Sequence, residues 1–171
     1  MKKISEEELI LLFRKLGAND PESWALSEIN EDIPQLARFL FLLSAWKTVI
    51  AEGDLNWINQ EIEYSKKQPD KNGAGVGLAL EKLLKSGVNP EDITDIVRGM
   101  QYQTLHGICY LLDGLNENLP EIGDFGWSLF ERDKEGNITG RIIQGLYESV
   151  LSMDPSGKEL LPRKDNKQDS F

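Results

Sequence analysis

The stretch from Asp92 to Gly114, DITDIVRGMQYQTLHGICYLLDG, constrains the fold most, because it is long, periodic and bounded at both ends by terminal signals. Ile93, Ile96, Val97, Met100, Thr104, Ile108 and Leu111 recur every three or four residues, the repeat of one helix face. Leu105, Cys109 and Leu112 widen that stripe. Pro90, Glu91 and Asp92 mark the start, and Gly114 follows the last periodic residue. A helix this apolar is usually covered on two or more sides. The spacing therefore predicts a central buried helix over 92–113, with other helices packed around it.

A narrower polar row runs along the same helix through Gly99, Gln103, His106, Tyr110 and Asp113, with Arg98 and Gln101 beside it. It carries the sole histidine, and Cys109 nearby is the sole cysteine. Arg98, Gln103, His106 and Tyr110 form the candidate pocket wall, in which His106 would titrate near neutral pH as an acid, base or proton switch. The competing reading is a structural histidine bonded to a carbonyl or carboxylate of another helix. Cys109 has Leu105 and Leu112 one turn away on either side and reads as an inert buried thiol. One histidine and one cysteine cannot supply the three or four converging ligands that zinc requires. The expectation is no catalytic residue, no metal and no cofactor.

Charge narrows the partners. With 19 Lys and Arg against 29 Asp and Glu, the chain carries a net charge of −10. Such a chain repels phosphate backbones, so no nucleic-acid partner is expected, and it suits a basic protein. The N-terminal MKKISEEEL places glutamates where a signal peptide would need an apolar core, and no apolar run reaches bilayer length. The expectation is a cytoplasmic protein with no membrane association.

Along the chain, Ser5 followed by Glu8 is a capping box opening a helix to Leu16, and a short helix near Glu22–Glu28 is anchored by Trp24. PQLARFLFLLSAWKTVIAE predicts a second core helix over Pro34–Glu52, followed by helices over Asp54–Lys67 and Val76–Ser86. Between the last two, QPDKNGAGVG is a loop by composition. Its Gly73, Gly75 and Gly77 bring phosphate cradles to mind, but neither a preceding strand nor a following Lys-Ser or Lys-Thr accompanies them. Close helix packing is the expected use of those glycines. A short helix over Pro120–Phe130, a hairpin turning at Asp133–Asn137 and a last helix over Ile143–Ser152 complete the pattern.

The sequence thus predicts a mainly α chain, a single-domain multi-helix bundle with a small β-hairpin near 128–142. Residues 1–154 form the helical domain and 155–171 a turn and disordered tail. Charge without catalytic side chains points to a non-enzymatic interaction protein docking a basic partner, by analogy with bacterial immunity and antitoxin proteins that neutralise cationic nucleases. The alternative is a small-molecule-binding or hydrolytic domain with its pocket beside His106.

Overall fold

A computed structural model describes residues 4–114 and 126–163. Among these, the elements run α1 (Glu6–Lys15), α2 (Pro21–Glu31), α3 (Gln35–Trp46), α4 (Asn56–Lys67), α5 (Ala74–Lys85), α6 (Pro90–Leu112), β1 (Leu129–Arg132), β2 (Ile138–Ile143) and α7 (Leu146–Ser149). The chain is mainly helical, with one two-stranded antiparallel sheet. Its internal contacts sort into two compact units, Met1–Trp46 with His106–Met153, and Lys47–Leu105 with Asp154–Phe171.

In the first unit, the predicted capping box is present at α1. The Ser5 hydroxyl accepts the Glu8 N–H at 3.3 Å and the Glu8 carboxylate accepts the Ser5 N–H at 2.9 Å. Asp20 caps α2 in the same manner through the Ser23 N–H. Leu9, Phe13, Ala25 and Phe39 are the buried centre of the three-helix packing. The rings of Phe13, Trp24 and Phe39 meet pairwise at 5.2 to 5.9 Å, two of the three contacts edge-to-face. Trp46 closes α3 with its indole N–H donated to the Val150 carbonyl at 2.7 Å.

The hairpin forms where its turn residues predict. The Asp133 carboxylate accepts the backbone N–H groups of Glu135 and Asn137, and Asn137 returns its carbonyl to the Asp133 N–H at 2.9 Å. Leu129 pairs with Ile143 and Phe130 with Ile142, with a bulge before Arg132. Two expectations are corrected here. Ile143 belongs to β2, and the last helix shrinks to Leu146–Ser149, because sheet pairing claims Ile142 and Ile143 and Gly145, at φ +71°, separates strand from helix. Of the helix expected over Pro120–Phe130, residues 120–125 lie outside the described residues, and Leu129 and Phe130 are in β1.

The second unit is built on α4, α5 and the N-terminal part of α6, with Ile58, Leu80 and Ile93 at its centre and Trp57, Ile62, Leu84 and Val97 packed against them. The Trp57 indole N–H donates to the Thr94 hydroxyl at 3.0 Å, which itself donates to the Pro90 carbonyl. The helix expected to continue to Glu52 stops at Trp46. Ile50, four residues on, gives its N–H to the Gln101 side chain at 2.8 Å and its carbonyl to Arg98 at 2.5 Å, both on α6. Tertiary bonds replace helical ones there.

The helix predicted over 92–113 forms as α6, but much of its apolar stripe is open. Ile93, Thr94, Arg98, Leu105 and Cys109 are buried, whereas Ile96 and Met100 are each 63% exposed and Ile108 and Leu111 about half. Periodicity marks which residues are apolar, not which side of the helix finds neighbours, and the buried stripe is shared with polar Thr94 and Arg98. Of the tail expected over 155–171, residues 155–163 are described. Asp154 starts a turn closed by the Gly157 N–H, and Arg163 reaches Glu91, Asp92 and Asp95 on α6. Residues 164–171 lie outside the described residues. Among the described residues, no helix is long and apolar enough to cross a membrane.

Candidate functional site

A cavity of about 490 Å³ opens in the first unit. Asp32, Ile33 and Pro34 from the turn before α3, Arg38 on α3 and Asp113 just past α6 line one part of it; Ile142, Gln144, Gly145, Tyr147 and Glu148 line the rest. Its size falls within the roughly 300–1,000 Å³ of small-ligand pockets. Three carboxylates and one guanidinium face a lining that also holds the apolar Ile33, Pro34 and Ile142.

The short strand-to-helix junction around Gly145 explains how these groups are placed. Arg38 donates to the Gly145 carbonyl and to the Ser149 hydroxyl, and its guanidinium carbon lies 5.8 Å from the centre of the Trp24 ring. Burial pulls the Arg38 pKa below its ordinary value, and the charges of Glu148 and Asp113 oppose that pull. Asp113 accepts the Tyr147 backbone N–H at 3.0 Å through Oδ2. Its Oδ1 is buried without a hydrogen-bond partner, as is Nε of Arg38. Among the described residues, the four side-chain atoms in that condition, those two with Gln35 Oε1 and Arg141 Nε, all belong to this unit. Each such atom costs about 1–3 kcal/mol.

An arginine clasp borders the turn that lines the cavity. Arg141 on β2 pairs with Glu28 at 2.9 Å, with Glu131 at 3.2 Å and, at longer range, with Asp32 at 3.6 Å, and it donates to the Ile33 carbonyl at 2.8 Å. Burial alone would lower its pKa, but the bond to Glu28 and the surrounding carboxylates outweigh that and raise it. The clasp fixes the Asp32–Pro34 turn against the hairpin.

The four sequence-predicted pocket residues separate into two settings. His106 is half-buried, with its ring edge-on to Tyr147 at 6.1 Å, and Tyr110, 45% exposed, meets the same ring edge-on at 5.7 Å. Both therefore flank a cavity-lining tyrosine. Arg98 is buried in the second unit, paired with Asp154 at 2.5 Å and bonded to the Ile50 carbonyl, and Gln103 is exposed. Cys109 is fully buried, and burial, reinforced by Asp113, pushes its thiol pKa up to about 11.

Of the cavity residues, only Asp113 stood on the polar row read from the sequence. Arg38 had a visible signal, a lone arginine within the apolar run LARFLFLL, whereas Asp32 lies far in sequence from the adjacent Tyr147 and Glu148. Among the described residues, no three of the His, Cys, Asp and Glu side chains converge as metal ligands. Comparison with protein-family models, curated proteins and solved structures returns no match for this chain.

Proposed function

We propose that this chain is a non-enzymatic interaction protein that docks a basic protein partner through the acidic surface of its first unit. The uneven distribution of charge carries the reading. Among the described residues, the first unit has thirteen acidic side chains against six basic ones, while the second has eleven against nine. Many of the first unit's carboxylates, among them those of Glu6, Glu7, Asp20, Glu31 and Asp32, are on exposed residues. A surface of one sign steers an oppositely charged partner and raises its association rate more than its final affinity.

The test is capture of partners by the tagged protein at low and high salt, followed by the salt dependence of the association rate for whatever is retained stoichiometrically. A basic protein whose association slows steeply as salt rises is the expected outcome. A neutral or acidic partner, or a rate indifferent to salt, would overturn the reading.

One observation favours a second reading, a small-molecule or hydrolytic site beside His106: the Tyr147 ring that His106 touches lines the 490 Å³ cavity. That reading requires His106→Ala to abolish ligand-induced thermal stabilisation while the protein stays folded.

A further inference from the structure

Resting on the acidic-docking reading, we infer that the cavity of the first unit is the seat for a lysine or arginine side chain of the basic partner. The carboxylates decide the sign. Asp32, Asp113 and Glu148 outnumber the one guanidinium of the lining, so a single incoming cation still leaves the cavity negative. The Arg38 guanidinium is held by the Gly145 carbonyl and the Ser149 hydroxyl and lies over Trp24, so its charge stays at one place in the lining.

The arrangement also decides the kind of cation. The three carboxylates stand around the cavity and do not meet at one point as a metal site would require, so an extended group with several N–H donors matches them better than a bare ion. Ile33, Pro34 and Ile142 offer apolar contact to the aliphatic stem of lysine or arginine. A partner's side chain is held in the cavity by the further charges of its own chain as well; a free amine of the same stem and charge has the cavity alone.

Three probes separate these sources in amide chemical-shift titrations of the full chain at low salt: acetyl-pentalysine-amide, n-butylammonium and acetyl-pentaglutamate-amide. The lysine peptide is expected to shift Asp32, Arg38, Gly145 and Tyr147 saturably, n-butylammonium to shift the same residues at least tenfold more weakly, and the glutamate peptide to leave them unmoved. The double variant Asp32→Asn with Glu148→Gln, both on exposed residues, should weaken the lysine peptide at least tenfold with an unchanged melting temperature. Asp113→Asn should do the same if it folds, and the double variant carries the test if it does not. Shifts spread over the acidic surface with the cavity residues silent would overturn the cavity and leave acidic docking standing. Butylammonium binding as tightly as the peptide would overturn the partner side chain as occupant, and failure of the lysine peptide to bind at any salt would remove both.

Discussion

Gly77 of α5 donates its backbone N–H to the Ser65 hydroxyl of α4 at 3.1 Å, and a Cβ at Gly77 would lie 2.2 Å from that oxygen and 2.2 Å from the Glu61 carbonyl oxygen. Helix backbone, unlike a flexible side chain, cannot turn aside, so α4 and α5 would have to separate. Gly77→Ala should therefore destabilise by about 1–3 kcal/mol. Gly75, two residues earlier, has open space where its Cβ would go, and Gly75→Ala should stabilise by about 0.5–1 kcal/mol through helix propensity. Urea unfolding of the two variants should give opposite signs; like signs would show that the α4–α5 contact is looser than described.

The pair Arg98 and Asp154 is nearly dry, with side-chain exposures of 6% and 0%. Removing one partner strands the other charge, which typically costs about 3–5 kcal/mol. Arg98→Ala should lower the unfolding free energy by that amount, with the further loss of the bond to the Ile50 carbonyl. A loss under about 1 kcal/mol, the value of an exposed pair, would mean that Asp154 is solvated in solution.

Asp154 also sets an acid limit. Burial works against its ionised form, yet the Ser156 backbone N–H and hydroxyl, together with Arg98, outweigh burial and hold the carboxyl below its ordinary value. A depressed carboxyl contributes stability that is fully present above the unfolded value, about 3.9, and is lost as pH falls through the folded one. The stability gap between the native chain and Asp154→Asn should stay constant from about pH 5 to 8 and narrow below about pH 4. A gap that widens in acid would reverse the assigned sign.

Much of the helical order was legible in local chemistry. Ser5 and Glu8, Asp133 and Asn137, and the repeat from Ile93 to Leu111 each act within one continuous stretch of chain, so spacing alone locates them. What the sequence hid depends on contacts between distant segments. Ile50, where the periodicity continues the helix, is bonded instead to Gln101 and Arg98, and the start of α7 is set by the pairing of Ile142 and Ile143 with residues of β1. The cavity is of the same kind: Asp113 was visible on a polar row, but Asp32, Arg38 and Tyr147 converge only through the strand-to-helix junction at Gly145. No one-dimensional pattern joins them.

Cys109 offers a direct probe of burial. With its pKa near 11, on the order of a thousandth of the thiol is ionised at pH 8, and its side chain is inaccessible as well. A thiol-specific reagent should leave the native protein essentially unlabelled at pH 8 and label it fully in denaturant. Rapid native labelling would mean that the part of α6 from His106 onward opens readily.

Gly145→Ala tests how the cavity wall is held. Its Cβ would lie 2.6 to 2.8 Å from the Arg38 guanidinium, and the backbone there is at φ +71°. The guanidinium is the far end of a flexible chain, so it should yield, giving up the Gly145 carbonyl, the Ser149 hydroxyl and its place over Trp24. Gly140 provides the control, because its φ is +86° with nothing within 4 Å of a Cβ. Alanine there meets only the left-handed backbone penalty, about 1–2 kcal/mol. Gly145→Ala should exceed that control by about 1–2 kcal/mol, the worth of two hydrogen bonds less their replacement by water. It should also change Trp24 fluorescence, which Gly140→Ala should leave alone. Equal losses at the two positions, with Trp24 emission unchanged, would mean that Arg38 does not depend on Gly145 for its seat.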